Sequence, residues 1–147
     1  MRSRTLIFGV IGAFILMQVV PYGRRHINPP VVQEPQWDSA ATRAMVKGAC
    51  FDCHSNETTW PRYSWVAPSS WLVQNDVDGG RRHLNFSEWN REQRHAKDAS
   101  EEVRSGDMPP VYYGWMHEPA RLTAEERQQL AASFEKMFGP PPPKPAR

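Results

Sequence analysis

Cysteine is almost missing from this chain: 147 residues contain two, Cys50 and Cys53. That scarcity excludes a disulfide-built scaffold, which spreads several bridges over a small core. It also argues against a structural zinc site, because a Cys pair needs a second Cys or His pair at suitable spacing. His83, His95 and His117 are scattered singly along the sequence and supply no such pair. No strand–helix unit surrounds the two cysteines, so a thioredoxin-like dithiol is set aside as well. Charge of one sign is lacking too. Arg2 and Arg4 belong to the amino-terminal segment, and the other 16 basic residues face 16 acidic ones. With no basic stripe, nucleic acid is excluded as a partner. Alternating strand-like runs and internal repeats are absent, which leaves an all-α fold.

What the chain does have is Cys50-Phe51-Asp52-Cys53-His54, a C-x-x-C-H run. This spacing is the attachment signature of a c-type haem. On one helical turn the two-residue spacer sets the sulfurs on neighbouring faces, within reach of adjacent vinyl groups, and carries the histidine under the iron. The expectation is one haem c, covalently attached through Cys50 and Cys53, with His54 as an iron ligand.

A second ligand is sought downstream, at Gly106-Asp107-Met108-Pro109-Pro110. A methionine thioether suits the sixth position of such an iron and raises its potential. Gly106 loosens the backbone before Met108, and two prolines stiffen it afterwards. The pattern makes Met108 the second iron ligand, with His83 in reserve. Among the aromatics, Trp71 and either Tyr112 or Tyr113 are expected near the porphyrin. Arg62, Arg81 and Arg82 are candidate donors to its propionates, since a guanidinium fork suits carboxylates.

At the amino terminus, Arg2 and Arg4 precede an uncharged run from Thr5 to Tyr22. The apolar stretch Leu6 to Val20 covers about 22 Å as helix, against a bilayer core of about 30 Å. No A-x-A-like site follows, which favours an uncleaved anchor over a signal peptide. The expected organisation is a transmembrane anchor over 1–22, a Pro-rich linker over 23–36, a haem-binding domain over 37–139 and a Pro-rich tail over 140–147. Because bacterial haem attachment to C-x-x-C-H occurs outside the cytoplasm, the reading is a single-pass inner-membrane protein with its haem domain in the periplasm. Its partners would be the membrane and an unidentified redox protein.

Within the domain, Asp38-Ser39-Ala40 offers N-cap chemistry for a helix running into Cys50. A second helix is predicted from Pro68 to a stop at Gly79-Gly80. A third is predicted from a Ser87 cap through Ala96, Ala99 and Val103 to Ser105. Thr123-Ala124-Glu125-Glu126 is a capping box opening the last helix. His26 is expected to be solvated.

The run from Cys50 through Trp60-Pro61-Arg62-Tyr63-Ser64 resembles the bacterial membrane-anchored haem-binding domain family. Ala67-Pro68-Ser69-Ser70-Trp71-Leu72, Gly80-Arg81, Leu84-Asn85-Phe86-Ser87-Glu88-Trp89, Met108-Pro109-Pro110 and Leu122-Thr123 extend the likeness across residues 20–138. The resemblance implies one c-type haem on a small cytochrome-c-like helical domain. Relatives often carry a histidine near Asn75-Asp76-Val77, and this chain has none there. The functional expectation is a single-electron carrier rather than an enzyme. The alternative is a haem-based sensor or peroxidase-like protein with an open or labile sixth site.

Overall fold

The computed structural model describes residues 2–142, apart from the Arg2 side chain. Seven α-helices are found among them: α1 Arg2–Met17, α2 Ala40–Ala49, α3 Phe51–His54, α4 Ser69–His83, α5 Ala99–Ser105, α6 Val111–Met116 and α7 Ala124–Phe138. Two 3-10 turns, Arg62–Trp65 and Glu118–Ala120, join them. The only strand-like pairing among these residues is a parallel bridge between Gln33 and Glu88. The all-α expectation therefore holds.

Local chemistry sets several boundaries. Ser39 caps α2 by accepting a hydrogen bond from the Thr42 amide. Thr123 and Glu126 complete a reciprocal capping box at α7, which satisfies two amides that the helix cannot pair internally. The core gathers Val46 from α2, Phe51 from α3, Leu84, Phe86 and Ala96 from the α4–α5 connection, Val103 from α5, and Leu130 and Phe134 from α7. Phe86 is its centre, within 5.9 Å of the Phe51 ring and 6.2 Å of Phe134. Burying each such side chain stabilises the fold by about 1.5–3 kcal/mol.

Four expectations are corrected. The expected transmembrane anchor over 1–22 is not met, since no helix among the described residues is long and apolar enough to cross a membrane. Helix α1 stops after 16 residues, about 24 Å against the roughly 30 Å required. The Gln18 side chain donates to the Phe14 and Ala67 carbonyls and accepts from the Ala67 amide, tying the helix end to the domain. The transmembrane anchor, the membrane as partner and the single-pass inner-membrane location fall together. The paired glycines do not end α4, which continues to His83. The third helix begins at Ala99, eleven residues later than a cap at Ser87 would place it. Ser87 is instead fully buried, its hydroxyl accepting from the Asn56 amide and its carbonyl from Val32 and Gln33. Tertiary partners for that backbone outcompete a helical turn. Finally, His26 is not solvated: it stacks on Trp60 at 4.6 Å and meets the edge of Trp65 at 4.2 Å.

The segment over 23–36 does not hang free. Asn28 donates to the Thr58 carbonyl, and the Trp89 amide donates to Gln33. Of the tail read over 140–147, residues 143–147 lie outside the described residues, as does Met1 of the amino-terminal segment.

Candidate haem site

Helix α2 ends at Ala49 because Cys50 leaves helical geometry, at φ −126°. A separate turn, α3, then carries the motif. The Cys53 and His54 amides both donate to the Cys50 carbonyl, at 3.2 and 2.8 Å, closing the C-x-x-C-H run on itself. Phe51 is 2% exposed and roots this turn in the core, leaving both cysteines and His54 half-buried at its edge.

The His54 ring is held from behind. Its Nδ1 lies 3.1 Å from the Gly80 carbonyl and 3.0 Å from that of Leu84. Both partners are acceptors only, so Nδ1 carries the proton and Nε2 keeps the lone pair. A hydrogen bond of this kind fixes tautomer and ring direction in metal-binding histidines. Burial pushes the His54 pKa below the ordinary histidine value, although the two carbonyls oppose it. The ring is thus neutral, as a ligand must be. Burial likewise pushes the Cys50 thiol up to about 12. Cys53 rises to about 12 as well, by burial and then by the charges of Asp76 and Asp52.

Gly80 is the residue that makes this contact. A Cβ there would collide with the Cys53 carbonyl, so only glycine lets α4 approach α3 closely enough for its carbonyl to reach His54. The glycine read as a helix stop is a packing residue.

Residues just after the motif form a brace. Ser55 donates to the Phe51 carbonyl, and the Glu57 amide donates to the Ser55 hydroxyl. Buried Asn56 donates to the Pro30 carbonyl and Glu88 and accepts from Asn85. Asp52, between the cysteines, accepts from the Thr59 amide at 2.8 Å and from the Tyr113 hydroxyl at 2.6 Å. Asp52, Asn56, Gly80 and Asn85 were not singled out as site residues from sequence. Their signal in the sequence was that Asp52 sits inside the C-x-x-C-H run and that Asn56, Gly80 and Asn85 fall in the stretches carrying the family resemblance.

Met108 arrives on a different segment. Gly106, at φ +86°, turns the chain out of α5. The Met108 amide donates to the Glu102 carbonyl, and Arg127 donates to the Met108 carbonyl. The residue as a whole is 36% exposed. Helix α6 follows and is laced to the motif region: Tyr112 donates to Asp76 on α4 at 3.1 Å, and Tyr113 donates to Asp52 on α3. Burial and then the Asp76 carboxylate push Tyr112 up to about 12, and burial with Asp52 raises Tyr113 further.

The remaining candidates divide. Tyr112 and Tyr113 come to the motif. Arg81 donates to the Ser55 and Ile27 carbonyls, Asn28 and Thr58, so its fork clamps the 55–58 loop. Arg62 is exposed in its 3-10 turn. Trp71 is half-buried on α4, and its indole N–H is buried without a hydrogen-bond partner. His83 lies at the end of α4, its Nδ1 on the Gly79 carbonyl.

The cavity beside Cys53, lined by Asp52, Thr58, Tyr63, Val77 and Tyr113, holds about 30 Å³, room for a water and not for a porphyrin. Apolar surface lies outside it. Tyr112 bonds to Asp76, and Leu72 sits one helical turn before Asp76 on the same face of α4. Leu72, Met108, Val111, Tyr112, Trp115 and Met116 are all exposed. Exposed apolar groups of this kind mark binding surfaces. The donor set also fits a haem: two thiols on one turn, an imidazole with its Nε2 free, a methionine on a neighbouring segment and an unpaired buried indole N–H.

Fold and site together define a small helical haem-binding module. The haem-binding domain family model matches residues 12–136, and the chain belongs to that family. No curated protein and no solved structure matches the chain.

Proposed function

We propose that this domain carries one haem c, joined by thioether bonds to Cys50 and Cys53, and transfers single electrons. His54 and Met108 hold the iron. The observation that carries the reading is the double engagement of His54 Nδ1 by Gly80 and Leu84 on the turn bearing both cysteines. The haem supplies the one-electron couple. The protein's part is to keep His54 neutral and aimed, to hold the Cys50–His54 turn rigid and to present Met108 from a fixed backbone. A ligand geometry that changes little between oxidation states suits electron transfer.

The test is the protein made in a host competent for cytochrome maturation. Expected are a mass increased by one haem, retention of that haem under denaturing conditions and the weak far-red absorption band of ferric iron bound by methionine sulfur. Met108→Ala removes that band. A mass without haem overturns the reading.

The exposure of the Met108 side chain supports a second reading, in which the sixth position opens to gases or peroxide. Fast carbon monoxide binding to the reduced protein, with no far-red band in the oxidised one, would select it.

A further inference from the structure

His83 and His95 are twelve residues apart and belong to different segments, yet their ring centroids lie 5.2 Å apart with planes at 51°. His83 Nδ1 is 2.9 Å from the Gly79 carbonyl. His95 Nδ1 is 2.9 Å from Asp98 Oδ2. Both partners accept only, which selects the tautomer with the proton on Nδ1 and leaves Nε2 as the nitrogen available to a metal. Two neighbouring imidazoles, each fixed through Nδ1 by an oxygen acceptor, are half of a metal-binding arrangement with its supporting hydrogen bonds.

The spacing agrees. A zinc–nitrogen bond of about 2.05 Å, plus about 1.15 Å from nitrogen to ring centre, puts each centroid about 3.2 Å from a shared ion. Two such vectors at a tetrahedral angle place the centroids about 5.2 Å apart. The backbones beneath are rooted in the core: Leu84 to Ser87, directly after His83, are buried, and so is Ala96 next to His95. Both imidazoles remain exposed. Of the nearby cations, Arg91 is paired with Glu88 and Arg94 with Glu92, whereas Arg82 and Lys97 flank the two histidines in sequence and add to the repulsion an incoming ion meets.

We infer that His83 and His95 form a surface site for a borderline divalent cation such as Zn²⁺ or Cu²⁺, bound through the two Nε2 atoms. Water completes the coordination, because no group of three or more His, Cys, Asp or Glu gathers into a metal site among the described residues. Asp98 positions His95 and does not touch the ion. The site is distinct from the haem ligands.

The test is titration of the haem-loaded protein, without a histidine tag and with any unreacted thiol alkylated, by Zn²⁺ in a calorimeter. One equivalent is expected to bind in the micromolar range, with Cu²⁺ tighter, as the usual order for such ligands requires. Bound Cu²⁺ should show nitrogen hyperfine coupling in its electron paramagnetic resonance spectrum. His83→Gln and His95→Gln should each weaken binding at least about tenfold, and Asp98→Asn by a factor of about 10. His117→Ala should leave it unchanged. Far-UV circular dichroism and the haem spectrum verify folding; should His83→Gln not fold, His95→Gln decides alone. Absence of Zn²⁺ binding at millimolar concentration, or binding that survives His95→Gln unchanged, overturns the site.

Discussion

Residues 50–57 and residues 106–112 are the two segments proposed to meet at the iron, and the chain treats them differently. Around the first, nearly every polar group is committed. The Cys50 carbonyl takes two amides, His54 Nδ1 meets two carbonyls, the Ser55 carbonyl takes Arg81 from α4, and Asn56 and Asp52 bridge to other segments. Around the second, the Tyr112 hydroxyl reaches Asp76 and Asp107 bonds its neighbour Ser105, but Met108 itself is tied by its backbone alone and is 36% exposed. The imidazole is aimed before any ligand arrives, whereas the thioether is only delivered to the neighbourhood. A strong ligand is thus preorganised, and a weak one keeps the freedom to adjust.

Substitutions can break that contrast, beginning with the largest effect. Gly80→Ala should destabilise the protein by about 3 kcal/mol, the upper range for overpacking, because the Cys53 backbone cannot give way as a flexible side chain can. Guanidinium denaturation of the haem-loaded protein measures it, and a loss below about 0.5 kcal/mol would show that α4 does not rest on α3 as described. Asn56→Ala should cost about 2 kcal/mol, because it strands a buried partner on Asn85. Tyr113→Phe follows at about 1–2 kcal/mol, since it removes one donor to the half-buried Asp52 carboxylate.

Acid sharpens the comparison further. Hydrogen bonding from Asn56, then from Arg91, holds the Glu88 carboxyl below its ordinary value of 4.5. Its stabilising contribution is complete above that ordinary value and is lost as pH falls through the depressed one. Glu88→Gln should therefore flatten the acid limb of a stability–pH curve below about pH 4.5; an unchanged limb removes Glu88 from the brace. In the haem-free chain the smallest stability effect belongs to Met108→Ala, within about 0.5 kcal/mol for an exposed side chain, whereas in the haem-loaded protein the same substitution changes the visible spectrum most. A collapse of stability on that substitution would erase the distinction between the two segments.

Legibility followed the range of the interactions involved. The caps at Ser39 and Thr123 are decided within four residues and stood out directly. The C-x-x-C-H turn is equally local. The stop placed at Gly79-Gly80 failed because a glycine has two uses, and only the approach of α3 reveals which applies. Ser87 looked like a cap for the same reason: a serine hydroxyl bonds whatever amide is near, and here that amide belongs to Asn56, 31 residues back. The apolar amino terminus read as a bilayer span by composition, whereas Gln18 and its bonds to Ala67 end the helix too early.

By itself the amino-acid order determined the all-helical class, the haem motif and the terminal caps, because each depends on residues within a turn of one another. Only the tertiary structure decided that Gly80 and Leu84 orient His54, that His26 lies between two tryptophans, and that His83 and His95 are neighbours. Those arrangements depend on backbone carbonyls and rings from distant segments, whose positions no spacing along the chain encodes.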